Sequence, residues 1–273
     1  SAYSGTVDAM THSFYRMMAK LEFLPNSPTL MNAGTGHGTL SACFVLPVED
    51  SMESIMRAAT SAAMVQKFGG GTGFALSLLR ERGHPIATTH GRACGPVKVL
   101  EVLSSVSSMV TQGGKRDGAN MCILDASHPD VEEFISCKTV EGRIHNFNIS
   151  VAASDKFMQA VGGDHVWELV SPKTGKAVRS VSARALFRAI VDGAWRNGEP
   201  GMYFLDNANR EWRKTGLPDM ISTNPCGEQM LLPNESCNLG SIDVGKFLTP
   251  DRRGFDWFRL RDTVRLAIRF LDN

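Results

Sequence analysis

The chain has 273 residues, 42% of them hydrophobic, with 29 basic and 28 acidic side chains and a formal net charge of +1. That length and apolar content can bury a full core for one large domain or two modest ones, which excludes a disordered chain or a small stapled scaffold. The near-neutral balance removes the basis for long-range attraction to nucleic acid or an anionic membrane, and no apolar run approaches the roughly 18 residues that a bilayer span needs.

Six cysteines, at positions 43, 94, 122, 137, 226 and 237, are dispersed and include no CxxC pair. This argues against a disulfide-rich secreted domain and against a zinc or iron–sulfur site. No metal is expected, and a reducing, cytoplasmic setting is. The opening residues SAYSGTVDAM carry neither the basic nor the apolar region of a secretory signal.

In chain order, residues 10–24 predict a short amphipathic helix before Pro25, and the following PNSPTLMNAGTGHG is dense enough in Pro, Asn and Gly to predict a loop. SACFVLP is an apolar run of strand length that carries Cys43. Asp50 and Glu53 have capping-box spacing and predict a helix over 51–67 that ends at Gly69, Gly70 and Gly71. TGFALSLL then predicts a strand. Its glycine-rich lead-in lacks the lysine and hydroxyl of a P-loop, and it follows a helix where a dinucleotide fingerprint follows a strand. Close packing, or close approach of a substrate where no side chain fits, is the better reading.

Residues 80–96 form a polar loop in which His84 and His90 lack a compact set of partner ligands. A helix is predicted from Pro96 to Met109, followed by TQGGKRDGAN, where Lys115 and Arg116 among glycines suit either phosphate contact or a solvated hairpin. MCILD and FNISVA predict strands flanking a short helix at PDVEEFISC, and HVWELVSPKTGKAV predicts a hairpin outside the main alternation. A helix opening at Ser182 carries Leu186, Phe187, Ile190, Val191, Ala194 and Trp195 on a stripe read as core. GMYF predicts a short strand, and Trp257 to Leu271 a final helix with an apolar stripe. Strands followed by crossover helices make the class α/β and fit an open sheet or a partial barrel.

The most informative stretch is 221–241, ISTNPCGEQMLLPNESCNLGS. Asn224, Cys226 and Glu228 alternate with Pro225 and Gly227, which argue against a helix. In an extended segment an amide, a thiol and a carboxylate then point the same way. A second thiol, Cys237, follows eleven positions after Cys226. The residues alone leave two readings open, a cysteine-based redox or radical site and a loop with two buried cysteines.

Taken together, LPNSPTLMNAG, SACFVLPVEDS, GGGTGF, GGKRDGAN and NPCGEQMLLPNESCNLGSI resemble the catalytic subunit of ribonucleotide reductase, most closely its class II, adenosylcobalamin-dependent branch. The resemblance implies part of a ten-stranded α/β barrel, roughly the first half-barrel with a finger loop projecting into its centre. Residues 1–24 are then a helical lead-in and residues 25–273 the partial barrel. It implies Cys226 as the radical cysteine, Cys43 and Cys237 as the reducing pair that ends as a disulfide, and Asn224 and Glu228 as the amide and carboxylate that manage the sugar hydroxyls. Ser27, Thr29, Ser41 and Ala42 fall where the family handles substrate ribose and phosphates. Lys115, Arg116 and Asp117 fall in a loop that contacts effector or substrate, with Asp117 standing where many relatives carry a small or basic residue.

The implied reaction converts ribonucleoside di- or triphosphates to 2′-deoxyribonucleotides with adenosylcobalamin as cofactor. The implied partners are a dNTP or ATP effector, a thioredoxin-like reductant and a second copy in a homodimer. A complete subunit of the family is much longer, so the chain is expected to be a fragment lacking the C-terminal part of that subunit, and inactive by itself. Two alternatives stand beside this reading. One is a class I ribonucleoside-diphosphate reductase large subunit served by a separate radical-generating subunit. The other is a nucleotide-binding regulatory module that has lost catalysis, against which the intact Asn224, Cys226, Glu228, Cys43 and Cys237 set argues.

Overall fold

The computed structural model describes residues 6–112, 116–140 and 142–272. The chain divides into two compact units, Cys43–Cys237 and a second made of Ser1–Ala42 with Asn238–Asn273.

The larger unit is built on a six-stranded sheet in the order Gly201–Phe204, Phe147–Ala153, Asn120–Asp125, Gly71–Ala75, Cys43–Leu46 and Ser236–Cys237. The first five strands are parallel, and Ser236–Cys237 runs antiparallel at the edge. Helices Met52–Lys67, Pro96–Met109, Val131–Ser136 and Ala183–Asn197 supply the crossovers. All four bury apolar residues in one core with Phe74, Cys122, Leu124, Phe147, Ile149 and Val151 of the strands. Because strand side chains alternate, the intervening residues Gly73, Met121, Asn148 and Ser150 share the opposite face. That face carries the hairpin of residues 222–231 and the short helix Leu205–Asn209. A parallel sheet with its crossover helices on one face is the wall of an α/β half-barrel, as the resemblance implied.

A buried polar cluster ties the helices to the sheet. The Gln66 amide lies within hydrogen-bonding distance of Thr72 Oγ1, Ser107 Oγ and Asn120 Oδ1. Asn120 Nδ2 in turn donates to the carbonyls of Gly118 and Asn146.

The helix expected over 10–24 runs Val7–Ala19, with Phe23–Pro25 a strand, and other local expectations are corrected. The Pro- and Asn-rich segment after Pro25 is not all loop, since Ser27–Asn32 is helical. Asn26 caps it by accepting from the Thr29 N–H at 2.9 Å, and Pro28 sits in the first turn, where no N–H is needed. The cap of Met52–Lys67 is Ser51, which accepts from the Ser54 N–H, while Asp50 is held by Arg80. Trp195 is 87% exposed and outside the core. At about 100° per residue, nine positions place it opposite Leu186, so the stripe was too wide to be one face.

In the smaller unit, strand Phe23–Pro25 pairs antiparallel with Gly240–Ile242. Helices Val7–Ala19 and Trp257–Asp272 pack around Met17, Phe23 and Ala267. Trp257 and Ile268, on the apolar stripe of the final helix, are exposed. No helix among the described residues is long and apolar enough to cross a membrane.

Candidate active site

The NPCGEQ segment is the tip of a hairpin. Ser222–Thr223 pairs antiparallel with Met230–Leu231, and the Asn224 N–H donates to the Gln229 carbonyl at 3.0 Å. The Gly227 N–H donates to the Asn224 carbonyl at 3.1 Å, so Asn224 to Gly227 form a four-residue turn with Pro225 and Cys226 at its centre. Gly227 has φ of 85°, a conformation that favours glycine. The segment is therefore folded back, not extended. Asn224 is fully buried, whereas Cys226 and Glu228 are exposed.

The sheet receives this hairpin because two residues lack side chains. A Cβ on Gly73 would lie 1.8 Å from the Thr223 carbonyl oxygen, and one on Gly71 would lie 2.5 Å from Pro225 Cγ. Neither glycine needs a positive φ. What the GGGTG sequence provides is room for another segment of backbone.

Two further thiols meet beside the hairpin. Cys237 lies directly opposite Cys43 in the antiparallel pair, within the Cα range that disulfides span. The Cys43 thiol hydrogen-bonds to the Cys237 sulfur, which lowers the Cys237 pKa. The same bond, reinforced by burial, raises that of Cys43. Asn224 Nδ2 donates to Cys43 Sγ at 3.8 Å while its Oδ1 accepts from the Gln229 N–H at 3.1 Å. The Glu228 charge reaches both Cys43 and Cys237, and Cys226 acts on Cys237. The unit thus gathers the five residues singled out as catalytic, with no disulfide formed.

Residues 41–273 match the ribonucleotide reductase barrel domain, and residues 2–38 match the ribonucleotide reductase all-alpha domain. The chain belongs to the ribonucleotide reductase family. It is 48% identical over 261 residues to a vitamin B12-dependent ribonucleoside-diphosphate reductase of Thermoplasma acidophilum, covering 95% of this chain and 34% of that protein. A Mycobacterium tuberculosis protein of the same description is 47% identical, covering 95% and 37%. The ribonucleoside-diphosphate reductase subunit alpha of Chlamydia trachomatis is 29% identical, covering 96% and 28%. The chain thus spans about a third of the length of its B12-dependent relatives.

Ser27, Thr29, Ser41 and Ala42 belong to the smaller unit, where the Thr29 hydroxyl donates to Asn26 Oδ1 and to the Leu40 carbonyl, both at 3.0 Å. Lys115 lies outside the described residues. Arg116–Asp117 forms a two-residue strand antiparallel to Thr111–Gln112. His84 Nδ1 lies 2.9 Å from Glu81 Oε1. Among the described residues, no group of three or more His, Cys, Asp or Glu is arranged to hold a metal. Cys122 and Cys137 are buried in the helix-side core, and burial pushes the Cys137 thiol up to about 12. Sequence reasoning missed Asn148, whose Nδ2 donates to the Pro225 carbonyl at 2.8 Å. The available signal was its place in FNISVA, alternate to the apolar Phe147, Ile149 and Val151.

Proposed function

We propose that this chain supplies the thiol centre of an enzyme that reduces ribonucleoside di- or triphosphates to 2′-deoxyribonucleotides by thiyl-radical chemistry. The observation that supports this most is Cys43 facing Cys237 across two strands, with Asn224 bonded to Cys43 from the hairpin that carries Cys226 and Glu228.

Each residue suits one step. Cys226, exposed at the turn, is the sulfur that takes the hydrogen from C3′ and later returns it. Glu228 accepts the proton of the 3′-hydroxyl. Asn224 keeps its Oδ1 on the loop and its NH₂ on the Cys43 sulfur, and is assigned to the sugar hydroxyls beside that sulfur. Cys43, the protonated member of the pair, protonates the departing 2′-hydroxyl. Cys237, biased towards thiolate, completes the electron supply. The dithiol gives up two protons and two electrons and becomes a disulfide. The ribose loses its 2′-oxygen as water, and a thioredoxin-like reductant restores the thiols.

The exposed Cys226 thiol fits a radical generator that must reach a single sulfur. The chemistry adenosylcobalamin supplies when bound is a carbon-centred radical able to take the hydrogen atom of that thiol. Ser27, Thr29, Ser41 and Ala42 are assigned to substrate ribose and phosphates, and Lys115, Arg116 and Asp117 to effector or substrate contacts for a dNTP or ATP effector. A homodimer is supported by Met52, Met56, Met64 and Met109, each at least half exposed on helices Met52–Lys67 and Pro96–Met109. Six cysteines outside disulfides suit a cytoplasmic location.

The test is deoxyribonucleotide formation by a polypeptide carrying this chain, with and without adenosylcobalamin. Dependence on that cofactor is expected. Dependence on an added radical-generating subunit would overturn the class, and no product under either condition would overturn the activity.

A further inference from the structure

Asn148 has no part in the chemistry above, yet it bonds from the sheet to the residue immediately before Cys226. Its strand, Phe147–Ala153, is paired on both sides, with Asn120–Asp125 and with Gly201–Phe204. The side chain is exposed on the face opposite the helix-side core, and Nδ2 donates to the Pro225 carbonyl at 2.8 Å. That carbonyl belongs to the peptide joining Pro225 to Cys226, the central peptide of the Asn224 to Gly227 turn.

The central peptide is the variable part of a four-residue turn. Proline in the second position suits both common turn types, which differ by a reversal of this peptide. Reversal requires a positive φ at the third position, here Cys226, whose φ is not positive. It also turns the Pro225 carbonyl away from Asn148 and redirects the Cys226 side chain. Neighbouring residues bound the rest of the turn. Met121, directly across from Asn148, places its Cε 3.6 Å from where a Gly227 Cβ would be, and Gly71 lies against Pro225.

We propose that Asn148 is a positioning residue for Cys226: its amide fixes the Pro225–Cys226 peptide to the sheet and thereby the direction of the thiol. The proposal rests on the reading of Cys226 as the reactive sulfur.

The variants are Asn148→Ala, which removes the donor, and Asn148→Asp, which keeps the shape but accepts only when ionised. Both are made in a catalytically competent polypeptide that carries this chain. In each, kcat at neutral pH is expected to fall at least tenfold with the nucleotide KM within twofold of the parent. The Asn148→Asp variant is expected to regain activity relative to Asn148→Ala as pH falls and its carboxyl can donate an O–H. Without cofactor or substrate, the rate of Cys226 alkylation by iodoacetamide is expected to shift at least threefold, while melting temperature and Cys43–Cys237 oxidation stay at parental values. A kcat within twofold of the parent in both variants overturns the proposal. So does a loss of kcat accompanied by lower melting temperature and slower Cys43–Cys237 oxidation, because the bond would then serve the fold alone. A failure of the underlying reading is separable: Cys226→Ser would then retain activity whatever the Asn148 variants do.

Discussion

Replacing Gly73 with alanine tests how the hairpin is held. The new Cβ would stand 1.8 Å from the Thr223 carbonyl oxygen, against the 3.4 Å at which ordinary contact begins, a shortfall of about 1.6 Å. Both partners are backbone, one in a strand paired on each side, so no side-chain rotation relieves the clash. If the hairpin stays, overpacking costs about 1–3 kcal/mol, which lowers the melting temperature by roughly 2–12 °C in a chain of this size. If it moves, Cys226 is displaced by an ångström or more, and a misplacement of that order costs about 10²-fold in rate. Gly162 is the control, since it lies on a helix with nothing within 4 Å of an added Cβ. There the same substitution is expected to be neutral or to stabilise by up to about 1 kcal/mol. The assay is thermal unfolding of both variants together with iodoacetamide labelling of Cys226. A Gly73→Ala protein that melts within 1 °C of the parent, on an order-of-magnitude stability scale where 1 kcal/mol moves it by several degrees, and labels at the parental rate would refute the packing argument.

Further outcomes follow from the same geometry. Because Cys237 is lowered and Cys43 raised, alkylation of Cys237 should rise with pH from below the usual thiol range of about 8.5, while Cys43 stays unlabelled. Peptide mapping of protein alkylated at a series of pH values checks this, and equal labelling of the two would contradict it. Gln66→Leu removes the amide at the centre of the buried polar cluster. It should cost about 1–3 kcal/mol, seen as a lower urea midpoint with an unchanged slope; an unchanged midpoint would show the cluster to be dispensable. Asn26→Ala deletes the cap of helix Ser27–Asn32 and should cost about 1 kcal/mol in the same assay, so a loss below a few tenths would count against that cap.

The parallel strands and crossover helices were legible because their periodicities are local: MCILD and FNISVA alternate or run apolar at strand length, and Pro96 to Met109 carries a proline start. The finger turn was not legible in the same way. Pro225 and Gly227 exclude a helix, but they fit an extended segment and a turn equally, and only the Asn224–Gly227 and Asn224–Gln229 bonds decide. Helix Ser27–Asn32 is hidden because proline and asparagine read as breakers, although Asn26 and Pro28 occupy the positions where they start a helix. The alternation in FNISVA marked Asn148, but its role was hidden for a different reason. Its partner is a backbone carbonyl 77 residues away, and a carbonyl leaves no mark in the sequence. The glycines at 71 and 73 announced a close approach without saying by what; the hairpin answers that.

The central claim is that Cys226 starts the chemistry and that Cys43 with Cys237 completes it. Cys226→Ser, in a polypeptide carrying this chain and assayed with adenosylcobalamin, tests it most directly. No deoxyribonucleotide formation is expected, with Cys43–Cys237 still able to form a disulfide under mild oxidation. Deoxyribonucleotide formation at the parental rate would contradict it.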